Sequence, residues 1–392
     1  VLLEYARSWF VALSAYGEAV LFGPHHTYYS LAYVLSGVPI VRDLFAVGGM
    51  PLVTLLIVLV NFVAYRISLS IRGRSMPPLE IVWLTIGVVG VVLVSSFWMS
   101  QIRRADPSRE PFTVSVLNTR LPSSTDDSVA DHKARVALDL IRTITPSDGI
   151  VVVPENIDVL NTFLVPGGDK GNPLSAFHLV VASQPDDHAH TMYFFEPGTK
   201  QGVRYEKQLL MPIGEYSVSW VAFLVHAAGV QSWIDVYDYR VIQNGARKGA
   251  EIALYHDPVI PDAVFAGSIC AENISPYIFR DETRAGATVL TNLSALSPFR
   301  NSPTLQRQTR AIDTARAIEN GRYLIVAGND NASLVVSDTG DIVRHSDPAL
   351  ENSVFDAPVH VRTYTTPYVA YGDYIVMLSL AFVLIAAVWL FS

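Results

Sequence analysis

The chain has one cysteine, Cys270, and its surroundings are those of a reactive thiol. It ends the apolar run Ala263 to Cys270 and stands two residues before Glu272. A free thiol titrates near pH ~8.5, so a nucleophilic cysteine needs a base to take its proton. Glu155 is a candidate base, because it closes the run Gly149 to Glu155, which contains three consecutive valines. A carboxylate next to such a run is partly desolvated, and that lifts it toward a useful range. Lys207 lies in a third stretch, Tyr205 to Tyr216, together with Glu215. An ammonium beside a thiol favours the thiolate and can stabilise the oxyanion of a tetrahedral intermediate. The set therefore reads as Cys270 nucleophile, Glu155 base and Lys207 stabiliser, for attack on a carbonyl carbon. The competing structural readings are a helix cap for Glu155, a surface hairpin for Lys207 and a small buried hydrophobe for Cys270.

These groups need strands behind them, since α/β folds place ligands just past strand ends. Strand-like runs span 112–118, 149–155, 178–183, 191–196, 263–270, 287–293, 323–328 and 332–338. Between them, Asp126 to Ile144 and Pro303 to Asn320 read as helices. Nearly continuous apolar strands alternating with helices predict an α/β sheet covered on both faces. Charged residues make up 16% of the chain and hydrophobic ones 50%, against a usual charged share of about 25%, so part of the chain belongs in lipid. Val47 to Tyr65, Ile81 to Ser100 and Tyr374 to Phe391 are each close to the roughly 20 residues that cross a bilayer. The connection Arg66 to Pro78 carries Arg66, Arg72 and Arg74 and no acid, which predicts a cytoplasmic loop and puts the long segment from Arg103 to Asp373 outside. Val1 to Tyr29 reads as the tail of a spanning helix and an interfacial loop, with His25 and His26 at the interface. The chain starts inside an apolar run, so further helices are expected before Val1.

Other chemistries lack their signals. The net charge is −8 and no compact basic stretch is present, which argues against a nucleic-acid partner. Phosphate-binding glycine loops, a Gly-x-Ser-x-Gly elbow and paired zinc cysteines are absent, so no cofactor or metal is expected. His188 and His190 form a His-x-His pair without a clear third ligand.

At its reactive residues the chain resembles the nitrilase, or carbon–nitrogen hydrolase, superfamily and, within it, the apolipoprotein N-acyltransferase family. The resemblance lies in Pro154-Glu155, in the run from Tyr205 to Tyr216, in Ile269-Cys270-Ala271-Glu272, in Arg316-Ala317-Ile318-Glu319 with Arg322, and in the turn at Asp338 and Gly340. Leu3 to Trp9 resembles an element of the family's membrane part. Ala271 stands where the family has Tyr, Asn331 where Gly is usual, and 292–299 replaces an Asn-Asp-x-Trp-Phe element. The resemblance implies an α-β-β-α sandwich on transmembrane helices, divided as 1–104 membrane region, 105–366 catalytic domain and 367–392 terminal helix. It implies a bacterial inner-membrane protein with its catalytic domain on the extracytoplasmic side. It also implies a phospholipid acyl donor, a Cys270 thioester and a diacylglyceryl-cysteine lipoprotein acceptor, with Glu215 and Glu272 as supporting residues. The alternatives are a membrane-tethered amidase and a catalytically silent lipoprotein-binding scaffold.

Overall fold

The computed structural model describes residues 1–391 except 73–77, 108, 123–126, 146–148, 166, 169, 187–188, 239–244, 300–301 and 348. Its helices are α1 (Leu2–Ser14), α2 (Asp43–Ile71), α3 (Pro78–Ala105), α4 (Asp127–Arg142), α5 (Val159–Leu164), α6 (Ser219–Ala228), α7 (Gln231–Tyr237), α8 (Pro276–Ala285), α9 (Pro303–Asn320), α10 (Pro367–Tyr371) and α11 (Tyr374–Phe391). Its strands are β1 (Phe112–Thr119), β2 (Ile150–Val152), β3 (Leu179–Asp186), β4 (Ala189–Glu196), β5 (Gln201–Glu206), β6 (Leu254–His256), β7 (Val264–Ile269), β8 (Val289–Ala295), β9 (Tyr323–Asn329), β10 (Leu334–Val336), β11 (Ile342–His345) and β12 (Ser353–Val359).

The strands follow the order β5-β4-β3-β2-β1-β9-β8-β7-β6. The middle of this path is parallel and its edges are antiparallel. The path folds over on itself, so β4 faces β7, with the rings of Phe194 and Phe265 6.4 Å apart. A central core forms between the halves from Val114, Val116, Val181, Met192, Phe265, Leu293 and Ile325. One outer face is covered by Ala137 and Ile141 of α4 and Phe163 of α5. The other is covered by Phe279 of α8 and Ala317 of α9. The result is the α-β-β-α sandwich that alternating apolar strands and helices require.

The strand-like runs are strands, with shifted ends. The run 149–155 is strand only at Ile150–Val152, and 332–338 only at Leu334–Val336, because each chain bends away to deliver polar groups. Strands β5, β6, β11 and β12 were not expected from sequence. They are short or partly exposed pairs at edges, where apolar periodicity is weak.

The helices α2 and α3 are long and apolar enough to cross a membrane, and α11 is a slightly shorter apolar helix. Part of α2 is buried against the sandwich, and its sequence shows why it bends. Gly49 has φ +63° and packs on the Tyr368 ring, and Pro51 follows it. Pro51 cannot donate to the carbonyl of Val47, and the Tyr374 hydroxyl donates to that carbonyl instead at 3.2 Å. The N–H of Met50, freed by the kink, donates to Glu319 at 3.1 Å. Glu319 pairs with Arg316 at 2.8 Å, both fully buried, and Arg316 donates to the Tyr33 hydroxyl at 2.7 Å. This buried pair thus ties α9 to α2 and to Tyr33. Arg103, in the last turn of α3, pairs with Asp43 at 2.7 Å. Arg74 and His188 fall outside the described residues.

Candidate active site

Three separate turns converge beyond the strand ends. Cys270 leaves β7 with φ +54°, a left-handed conformation uncommon for a residue with a Cβ. Such strain persists only when its surroundings hold it. The hold comes from Asn292 of β8, whose side chain donates to the Cys270 carbonyl at 3.2 Å and to the Ser268 hydroxyl at 2.9 Å. The thiol is half-buried, with Sγ 3.8 Å from the Ala295 carbonyl.

Glu155 lies three residues past β2 and is 5% exposed. The chain turns at Asn156, with φ +63°, and the Asn156 N–H donates to the Ser183 hydroxyl at 2.8 Å. The Glu155 carboxyl group is within hydrogen-bonding reach of the Cys270 thiol and of the Ala295 backbone. Its Oε2 atom has no hydrogen-bond partner among the described residues. Burial pushes its pKa up to about 7, opposed by Lys207 and helped by Glu215.

Lys207 follows β5 and is fully buried. Its N–H donates to the His190 carbonyl at 2.9 Å, its carbonyl accepts from Gly249 at 2.8 Å, and its Nζ donates to Glu215 Oε1 at 2.7 Å. Burial alone would lower the ammonium's pKa, but Glu215, Cys270 and Glu155 together raise it above its ordinary value. Glu215 in turn accepts from the Met211 N–H at 2.8 Å, across a loop with Ile213 at φ +66°. Burial works against its charge, yet Lys207 and His190 hold its pKa below the usual value.

Glu272 does not face the opening. It is fully buried and binds the two reactive turns together. Oε2 accepts from Ile269 N–H at 2.7 Å, beside Cys270. Oε1 accepts from Gln208 N–H at 2.6 Å, Leu209 N–H at 3.0 Å and the Tyr205 hydroxyl at 2.8 Å, around Lys207. Cys270, Glu155, Lys207 and Glu215 therefore share one site, and Glu272 lies behind it.

Electrostatically the site holds one lysine cation between two carboxyl groups and a thiol. Burial pushes the Cys270 thiol up to about 12, with Glu155 adding to the rise and Lys207 opposing it. A thiol so placed attacks only as its proton leaves, and the unpartnered carboxyl beside it can take that proton.

Sequence reasoning missed several contributors. Asn292 closes a run read as a strand, and with Ala295 it lies in a stretch otherwise read as a departure from the family pattern. His25 and His26 are buried within the protein, and His25 Nδ1 is 2.7 Å from the Ser275 hydroxyl, just past Cys270. The signal for this was the polar FGPHHTYY run, too rich in hydrogen-bonding groups for lipid. His190 lies in β4 with Nε2 3.5 Å from Glu215.

Residues 177–365 match the carbon-nitrogen hydrolase family. The chain is 22% identical to an apolipoprotein N-acyltransferase of Mycolicibacterium smegmatis over 83% of this chain and 58% of that protein. It is 24% identical to an apolipoprotein N-acyltransferase of Ralstonia nicotianae over 74% of this chain and 55% of that protein. The chain thus spans somewhat more than half the length of these curated relatives. Among solved structures, Saccharomyces cerevisiae Nit3, a member of branch 10 of the nitrilase superfamily, aligns at 14% identity with a TM-score of 0.44, over 64% of this chain and 90% of that one. Residues 177–365 are thus similar to carbon–nitrogen hydrolases, and the chain is similar to apolipoprotein N-acyltransferases.

Proposed function

We propose that the chain moves an acyl chain from a phospholipid, through a thioester on Cys270, to the N-terminal amine of a diacylglyceryl-cysteine lipoprotein. The observation that carries this reading is the shared site of thiol, desolvated carboxyl and buried ammonium. In the first half-reaction the Cys270 sulfur attacks an ester carbonyl of the phospholipid while Glu155 takes the thiol proton. Lys207 opposes the charge on the carbonyl oxygen. The carbon–oxygen bond to glycerol breaks, and the leaving oxygen takes the proton from Glu155 as a lysophospholipid departs. In the second, the acceptor amine attacks the thioester and gives a proton to Glu155. The carbon–sulfur bond breaks, the proton returns to sulfur, and an amide remains. Glu215 orients Lys207, and Glu272 sets the spacing of the two turns.

A lipid substrate is supported by α2, α3 and α11, and by the apolar arm of α6 and α7. That arm exposes Trp220, Phe223, Leu224, Trp233 and Val236, and Trp220 Nε1 donates to the Ser14 carbonyl of α1 at 2.6 Å. Exposed patches of this kind mark membrane or partner contact. On this reading the chain is a multi-pass protein of a bacterial inner membrane, which the apolar helices α2, α3 and α11 support. The arginines of 66–78 favour a cytoplasmic loop there and an extracytoplasmic sandwich, with 1–104, 105–366 and 367–392 as membrane, catalytic and anchoring parts.

The test is incubation of the purified chain with phospholipid and a diacylglyceryl-cysteine peptide. The expected product is peptide heavier by one acyl chain, with lysophospholipid in equal amount. Release of free fatty acid with unmodified peptide, or cleavage of small amides, points to the membrane-tethered amidase. Binding of lipoprotein without turnover of any of these substrates points to the silent scaffold.

A further inference from the structure

The turn that starts at Cys270 is short, running from Cys270 to Ile274, and different segments hold its parts. Its first carbonyl accepts from Asn292, and Asn273 Nδ2 donates to Asp313 Oδ1 of α9 at 2.8 Å, with both side chains buried. Its last carbonyl, at Ile274, needs a partner from outside, because a helical turn leaves its final carbonyls unpaired. That partner comes from the loop between α1 and α2, where the Thr27 hydroxyl donates to it. A hydroxyl has one proton to give, so the Thr27 oxygen meets the Tyr33 hydroxyl as an acceptor. Tyr33 therefore donates to Thr27, and its own oxygen accepts from Arg316 Nη2 at 2.7 Å. Arg316 is paired with Glu319 at 2.8 Å, and Glu319 accepts from the Met50 N–H at the kink of α2 at 3.1 Å. From Arg316 onward the donors point one way, from a buried cation to the carbonyl that ends the Cys270 turn. Thr27, Tyr33, Ile274, Arg316 and Glu319 are each no more than 4% exposed, so bulk water does not compete for these bonds. In such an interior, successive hydrogen bonds polarise and strengthen one another.

We propose that Thr27 and Tyr33 are positioning residues for Cys270: their hydrogen-bonded chain fixes the Ile274 end of the nucleophile's turn to the Arg316–Glu319 pair of α9 and, through Met50, to the kink of α2. The assignment rests on the thioester reading above. Neither residue touches the reacting atoms. The chain holds one end of a five-residue turn while Asn292 and Glu272 hold the other, so the turn cannot tilt and the thiol keeps its direction.

The experiment compares wild type with Thr27→Val, Thr27→Ser, Tyr33→Phe and the double variant carrying Thr27→Val and Tyr33→Phe. Each chain is mixed in detergent with increasing phospholipid, below its own unfolding temperature, and intact mass follows thioester formation. Amide hydrogen exchange in a proteolytic peptide covering Cys270 to Ser275 reports the turn itself and needs no substrate. Thr27→Val and Tyr33→Phe are each expected to lower the maximal rate of thioester formation about 10- to 100-fold, since a misplacement of about 1 Å can cost the larger figure. The phospholipid concentration giving half the maximal rate is expected to hold, and exchange in the turn to quicken. Thr27→Ser keeps the hydroxyl and is expected to restore most of the rate and the protection. The double variant is expected to be no slower than the slower single one, because members of one network do not add. Losses that multiply in the double variant overturn the chain. Wild-type rate and exchange in Thr27→Val overturn the positioning role, and so does a loss that Thr27→Ser does not restore or one confined to phospholipid affinity. If wild type forms no thioester, the function above is refuted and exchange alone decides the positioning: faster exchange in both single variants keeps it, and unchanged exchange overturns it.

Discussion

Replacing Glu272 by glutamine should damage both folding and chemistry, and the structure sets the size. The carboxylate accepts four hydrogen bonds, one at Oε2 from Ile269 and three at Oε1 from Gln208, Leu209 and Tyr205. In the best orientation of Glu272→Gln, the amide oxygen keeps the three donors and its NH2 group points at the Ile269 N–H. A charge-assisted bond of about 1.5–3 kcal/mol is lost and a buried donor is left unmet. The other three bonds lose their charge assistance. The lower cost of burying a neutral group offsets part of this, leaving a net loss of about 3 kcal/mol. For a domain of this size that corresponds to roughly 6–12 °C in unfolding temperature. Ile269 precedes Cys270 and Gln208 follows Lys207, so the same change loosens their spacing. A misplacement of about 1 Å costs roughly 100-fold in rate. Thermal unfolding in detergent and thioester formation by intact mass measure the two effects. A Glu272→Gln chain that melts and reacts like wild type would refute the argument that this carboxylate joins the turns.

Three further outcomes follow from the buried groups. Glu155 must be ionised to act as base, and burial holds its pKa near 7, so thioester formation should rise with pH through about 7 and fall about tenfold per unit below it. A rate independent of pH between 5 and 7 contradicts that role. Because its folded pKa lies above the ordinary 4.5, Glu155 favours folding below about pH 4.5 and loses that contribution as pH rises through 7. Glu155→Gln should therefore abolish thioester formation while melting no lower than wild type at pH 8. Arg316→Met should be severe, because it leaves the fully buried Glu319 without its cation, and breaking such a pair costs about 3–5 kcal/mol. Unfolding temperature measures this, and a drop of less than a degree or two excludes a structural pair.

The sequence was most legible where one physical rule dominates. Apolar runs such as Ala263 to Cys270 can only be buried strands, and their ends announced Cys270 and Glu155. The helix at Pro303–Asn320 was bounded by Pro303 at its start and Gly321 at its end, and it has those bounds. Joints between distant segments were not legible. Glu272 receives three of its four donors from residues more than sixty positions away, and Glu319 meets Met50 at a separation of 269. No local period encodes such pairings. The same holds for the loop 22–29, whose histidines read as interfacial until the fold brought Ser275 and Ile274 beside them. The edge strand at Ser353–Val359 escaped notice because half its side chains face outward and its pairing with β1 is set by register alone.

The central claim is that Cys270 carries the acyl chain. Intact-mass analysis of the purified chain after incubation with phospholipid, without any acceptor, tests it directly. The expected result is a gain of one acyl mass, removed by neutral hydroxylamine, mapped to Cys270 and absent from Cys270→Ala. An unmodified Cys270 in a preparation that still transfers acyl chains to the acceptor peptide would contradict it.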